Sequence, residues 1–164
     1  MAPDIAIIVP VYDEQDNVLP MAREVSEAMK NVGRSYELVF VDDASRDSTW
    51  QKIEEARRQL PNVRGLRHAV NSGQSAALWT GIRATTSPII ATLDGDLQND
   101  PADIPNMLPA LEKADFICGV RTKRRDSFAC PAINYYIEIV ANSVFQADTL
   151  AVMIASRLLP EPTH

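Results

Sequence analysis

Thiol and imidazole side chains are scarce: the chain has two cysteines and two histidines. Cys118 and Cys130 lack metal-ligand spacing and imply no oxidising compartment. Neither histidine reads as a catalytic base, because His68 closes a weak strand-like run and His164 is the last residue. Phosphate loops are missing too. No Gly-Lys-Ser/Thr follows Gly73, and no Gly-x-Gly-x-x-Gly occurs. Apolar runs long enough to span a bilayer are also lacking, since Tyr135 to Leu159 is interrupted by Glu138, Asp148 and Arg157. Met1-Ala2-Pro3-Asp4 passes directly into a strand-like run without a signal-peptide pattern. These absences predict a soluble, cytoplasmic domain. The net charge of −6 argues against a broad nucleic-acid footprint. No repeat or low-complexity segment is present.

The 164 residues, 46% hydrophobic and 23% charged, suit one globular domain with a substantial core. Ile5 to Val11 is nearly all apolar, as in a strand buried on both faces of a parallel sheet. Val18, Ala22, Val25, Met29 and Val32 then recur at helical spacing, and Gly33 stops the run. Glu37 to Val41 reads as a second buried strand, running into Asp42-Asp43-Ala44-Ser45. Ser48-Thr49-Trp50-Gln51 has the form of a capping box for a helix through Leu60. Val63 to His68 makes a weaker strand, Gln74 to Ala84 an alanine-rich helix, and Pro88 to Leu93 a fourth strand. Trp50 and Trp79 are expected in the core. A short helix after Pro101 and a strand from Phe116 to Val120 complete the alternation, which predicts a doubly wound, mainly parallel α/β sheet. Residues 1–128 form this domain. Residues 129–164 break the pattern and are expected to be irregular or helical, with a helix from about Ile133 to Leu159.

Ligands of such sheets collect beyond the carboxyl ends of the strands. Glu14, Asp42, Asp43, Asp94, Asp96 and Arg121 all fall there. In Leu93-Asp94-Gly95-Asp96-Leu97-Gln98-Asn99-Asp100-Pro101, two carboxylates separated by one glycine stand at a strand's end, and Asp100-Pro101 reads as an N-cap followed by proline at the first helical position. Gathering hard oxygen ligands is costly unless a positive group joins them, and a divalent cation carrying a diphosphate fits. An EF-hand is excluded: counting from Asp94, Asn99 stands where glycine is required and Pro105 where the bidentate glutamate belongs.

With these residues placed, the chain resembles family 2 glycosyltransferases of the GT-A fold, in the branch of dolichol-phosphate mannose synthase and bacterial polyprenyl-phosphate glycosyltransferases. The matching pieces, in the family's order, are Val9-Pro10-Val11-Tyr12-Asp13-Glu14, Val41-Asp42-Asp43-Ala44-Ser45-Arg46-Asp47-Ser48-Thr49, Asn71-Ser72-Gly73-Gln74-Ser75-Ala76-Ala77-Leu78, Asp94-Gly95-Asp96-Leu97-Gln98 and Gly119-Val120-Arg121. Each alone is weak, and all five in sequence are highly specific. The resemblance implies that Pro10, Tyr12, Glu14, Asp42 and Asp43 hold the base and ribose of a UDP- or GDP-sugar. Asp94 would lie beside ribose and diphosphate, Asp96 and Gln98 would ligate Mg²⁺ or Mn²⁺, and Arg121 would meet a phosphate. Asp94, Asp96 and Arg121 are then the catalytic set. The implied reaction inverts the sugar's anomeric centre by attack from a polyprenyl phosphate, dolichyl or undecaprenyl, and Arg121 to Arg125 would face lipid phosphates at the inner face of a membrane.

After Phe128 the family's basic acceptor segment is not recognisable, so a divergent or truncated ending is expected. Two other readings stay open at this stage: a catalytically inactive remnant that binds nucleotide, and, more distantly, a signalling receiver domain. Receivers begin with the strand that bears the acidic pair, however, and a preceding Pro-Val-Tyr-Asp-Glu strand does not belong to them.

Overall fold

The computed structural model describes residues 2–113, 116–120 and 150–156. Its six-stranded sheet contains β1 (Ile5–Val11), β2 (Tyr36–Asp42), β3 (Val63–Arg67), β4 (Ile89–Leu93), β5 (Phe116–Val120) and β6 (Leu150–Ser156), in the order β3-β2-β1-β4-β6-β5. β1 pairs in parallel with β2 and β4, and β2 with β3. β6 runs antiparallel between β4 and β5. The mainly parallel α/β sheet expected from the alternation is therefore present, with one reversed strand.

All seven residues of β1 are buried, as its unbroken apolar run requires of a central strand covered on both faces. One face carries Ile5, Ile7, Val9 and Val11 and packs on α1 (Val18–Met29) and α2 (Thr49–Gln59). The buried stripe of α1 is Val18, Met21, Ala22, Val25 and Met29, and each large apolar side chain in it contributes roughly 1.5–3 kcal/mol of burial. On the other face Ile8, Val39, Val41 and Ile90 meet Ala77 of α3 (Gln74–Ala84). α3 comes close because Gly81 has no Cβ: a methyl there would press on Ile8 Cγ2 and lie 3.2 Å from Val41 Cγ2.

Four expectations need correction. Ser48 occupies the N-cap of α2 but makes no side-chain cap; Asp47 does that work one residue earlier, its Oδ1 accepting from the Thr49 N–H at 2.9 Å. After the acidic turn, α4 (Asp103–Met107) starts later than Asp100-Pro101 suggests and tightens into a 3-10 turn over Leu108–Glu112. Asp100 instead caps the preceding turn, accepting from the Ala102 N–H at 2.9 Å. Trp79 is 59% exposed, its ring under the Arg83 guanidinium at 5.7 Å, while Trp50 is half-buried beneath Arg67. Residues 150–156, expected within a helix, form β6. Leu-Ala-Val-Met-Ile-Ala-Ser has no helical apolar face, and a short apolar run carries no period that separates strand from helix. The remainder of the expected 133–159 helix lies outside the described residues.

Candidate functional site

The carboxyl ends of β2, β1 and β4 lie side by side, so the loops that follow them share one rim of the sheet. The first two loops are stitched together. Ser45 Oγ accepts from the Asp13 N–H (2.9 Å), Thr49 Oγ1 from the Glu14 N–H (2.8 Å) and Asp47 Oδ2 from the Gln15 N–H (3.2 Å). In return Asp13 Oδ1 accepts from the Arg46 N–H (2.7 Å), and Gln15 Oε1 from the Ser48 N–H (3.0 Å). Asp13 and Ala44 hold left-handed backbone, with φ of +55° and +61°, which this reciprocal bonding sustains. Burial raises the carboxyl pKa of Asp47, but hydrogen bonds from Thr49 and the Gln15 backbone outweigh it, and the net shift is downward.

Asp42 is fully buried at the end of β2. Its Oδ1 accepts from the Ser45 N–H at 2.9 Å. Its Oδ2 lies 3.0 Å from Arg67 Nε, an ion pair whose angle does not make a hydrogen bond. Asp43, 3% exposed, is bonded more fully: Oδ1 accepts from His68 Nδ1 (2.7 Å) and the Ser72 N–H (2.9 Å), and Oδ2 from the Gly73 N–H (2.7 Å). Burial pushes its pKa up, and the bonds from Ser72, His68 and Gly73 more than reverse this, leaving it below the usual value. Pro10 is buried, whereas Tyr12 is 38% exposed and Glu14 is half-buried with Oε2 accepting from Asn17 Nδ2 at 2.5 Å.

The acidic turn completes the rim. Gly95 is buried against β1: a Cβ there would lie 2.8 Å from Val11 Cγ1 and 2.9 Å from the Pro10 carbonyl oxygen, so only glycine lets the turn lie this close. Asp94 is half-buried, with Oδ1 accepting from Gln74 Nε2 (2.9 Å) and Oδ2 from Asn99 Nδ2 (3.3 Å). Asp96 and Gln98 are exposed, and Asp96 Oδ1 accepts from the Gln98 N–H at 3.0 Å across Leu97, whose φ is +61°. Among the described residues no group of three or more His, Cys, Asp or Glu side chains could hold a metal ion. One or two carboxylates completed by the oxygens of a bound diphosphate is nevertheless the ordinary coordination of Mg²⁺, so the donor set of Asp96, Gln98 and neighbouring Asp94 fits such an ion.

Of the residues singled out from the sequence, Pro10, Tyr12, Glu14, Asp42, Asp43, Asp94, Asp96 and Gln98 fall on this rim. Arg121 and the basic run to Arg125 lie outside the described residues. Several contributors carried too little signal to be singled out. Asp13, Ser45, Asp47 and Thr49 look like ordinary turn residues, His68 and Gln74 act through partners distant in sequence, and Asn99 bonds back to Asp94 within its own turn. Among the described residues no helix is long and apolar enough to cross a membrane.

Comparison with known proteins agrees with this architecture. The chain is 37% identical over 129 residues to a dodecaprenyl-phosphate galacturonate synthase of Rhizobium johnstonii, a match covering 75% of this chain and 37% of that protein. It is 36% identical over 148 residues to an undecaprenyl-phosphate 4-deoxy-4-formamido-L-arabinose transferase of Pseudomonas fluorescens, covering 88% of this chain and 42% of the relative. The chain thus spans about two-fifths of the length of these relatives. A mannosyltransferase from Pyrobaculum calidifontis, solved with GDP-Man and Mn²⁺, superposes with a TM-score of 0.58 at 24% identity, over 76% of this chain and 36% of that one. The fold is therefore of the GT-A type. Residues 6–131 match the profile of glycosyl transferase family 2, and to that family this chain belongs.

Proposed function

We propose that the chain is the donor-binding part of a glycosyltransferase that moves a sugar from a nucleotide-diphosphate sugar to a polyprenyl phosphate. The observation that carries this reading is the seating of Asp94-Gly95-Asp96 against the end of β1, where a Cβ on Gly95 would meet Val11 and the Pro10 carbonyl oxygen, with Asp96 itself exposed. Tyr12, Glu14 and Asp94 meet the base, ribose and diphosphate, because carboxylates at strand ends accept from the neutral donors of base and ribose. Pro10, Asp42 and Asp43 shape the rim from beneath. Asp96 and Gln98 would hold Mg²⁺ or Mn²⁺, which would supply Lewis-acid stabilisation of the departing diphosphate. Arg121, following β5, adds positive charge to the same leaving group. The acceptor phosphate is already anionic, so in-line attack with inversion needs no strong base. Relatives whose names specify dodecaprenyl- and undecaprenyl-phosphate support this acceptor class.

Titration calorimetry of UDP- and GDP-sugars with and without Mn²⁺, comparing wild type with Asp96→Ala, tests the proposal. Metal-dependent binding should appear in the wild type and weaken by about tenfold or more in the variant, the loss of one charged ligand. Melting should change little, within about 0.5 kcal/mol, because an exposed carboxylate is removed from an acidic turn. Sugar transfer to a short-chain polyprenyl phosphate then reads the acceptor. Wild-type protein indifferent to both nucleotides, or an Asp96→Ala variant that unfolds, overturns the assignment.

A further inference from the structure

A line of side chains unrelated to the acidic turn in sequence runs toward it. It starts on α3, where Thr80 Oγ1 lies 2.8 Å from His68 Nε2. His68 follows β3, donates its backbone N–H to the Asp42 carbonyl oxygen at 2.8 Å, and lies 2.7 Å through Nδ1 from Asp43. An ionised Asp43 only accepts, so the proton sits on Nδ1. In the neutral ring Nε2 then accepts from the Thr80 hydroxyl. Asp43 in turn holds the N–H groups of Ser72 and Gly73, the last two residues before α3. Gly73 carries a φ of +89° there, turning the chain so that Gln74 opens the helix with its side-chain amide on Asp94 Oδ1. His68 thus ties β3, the end of β2 and α3 together around a loop whose exit residue grips the acidic turn.

We propose that His68 is a positioning residue for the donor site: by orienting Asp43 it fixes the loop at residues 71–73 and, through Gln74, sets the carboxylate of Asp94. The proposal rests on the function proposed above. It gives Asp43 and Gln74 a specific task, holding Asp94 in one arrangement before ligand arrives, and such pre-organisation appears as affinity. Neither Thr80 nor His68 touches the substrate in this scheme.

Two measurements test it in the whole chain. The first uses ligand-free protein: the ¹³Cγ resonance of Asp94 and the hydrogen exchange of the Ser72 and Gly73 amides, in wild type, His68→Ala, His68→Asn and Gln74→Ala. His68→Ala should shift the Asp94 resonance and speed exchange at both amides. His68→Asn, whose amide can donate to Asp43 as Nδ1–H does, should restore most of the wild-type values. The second is GDP and UDP binding in the presence of Mn²⁺. His68→Ala and Gln74→Ala should each weaken it by about tenfold, the low end of the worth of one hydrogen bond to a charged group. The double variant should be no weaker than the worse single one, because both act along one line. An unmoved Asp94 resonance in His68→Ala, no recovery in His68→Asn, or additive losses in the double variant would overturn the positioning role. Absence of any nucleotide binding by wild-type protein overturns the function itself, and the ligand-free resonance separates the two failures.

Discussion

At the scale of single residues, the site depends on atoms that are absent as much as on those present. Gly95 is the clearest case. Alanine there would set its methyl against the Pro10 carbonyl oxygen, which is backbone and cannot rotate away. Gly95→Ala should therefore lift the acidic turn from β1, costing roughly 1–3 kcal/mol in urea unfolding, and should weaken Mn²⁺-dependent nucleotide binding more than an exposed-loop change would. Asp43 is the complementary case, a nearly buried carboxylate kept charged by three donors. In Asp43→Asn one oxygen becomes an amide nitrogen that cannot accept, so at least one part-buried donor loses its partner. A loss of roughly 1–3 kcal/mol is expected, read by chemical unfolding at neutral pH.

At the scale of elements, continuous apolar runs made the central strands legible. Ile5 to Val11 and Ile89 to Leu93 carry little but buried positions, and turn residues on both sides, Pro3-Asp4 and Asp13, then Ser87-Pro88 and Asp94-Gly95, hold them to strand length. The stripe of α1 was legible for the converse reason, since its apolar spacing matches only one period. β6 escaped because Leu150 to Ser156 has no alternation, and its neighbours in the sheet, β4 and β5, are remote in sequence. Acids at strand ends marked the rim itself. The stitching beneath it was not readable, because the bonds from Ser45 to Asp13 and from Thr49 to Glu14 join positions whose pairing only the parallel β1–β2 register decides. Packing also overrides propensity at Gly81. Alanine is the better helix former by about 1 kcal/mol, yet its methyl would meet Ile8 and Val41 across the α3–sheet contact. Gly81→Ala should lower the melting temperature, a net loss of about 1–3 kcal/mol.

At the scale of the whole molecule, the depressed carboxyls of Asp43 and Asp47 link stability to pH. Their folded pKa values lie below the unfolded one, so their contribution is complete above the ordinary value of 3.8 and is lost as pH falls through the folded values. Asp103 acts in the opposite sense: burial and the nearby charge of Asp100 raise its pKa, so protonating it relieves a cost. The carboxyls of Asp4 and Glu55 are lowered as well, by hydrogen bonds from Ser35 and Lys52, so downward shifts predominate and melting temperature should drop as buffers go below about pH 4, less steeply in Asp43→Asn. The place of β6 has a different kind of consequence, in the timing of synthesis. β1 to β4, both stitched loops and the acidic turn are all encoded before residue 101, and they pair only with one another on that side of the sheet. Among the described strands β5 bonds only to β6, which leaves the ribosome later. A nascent chain can thus finish its rim early, while β5 waits with an unpaired edge for the strand that joins it to β4.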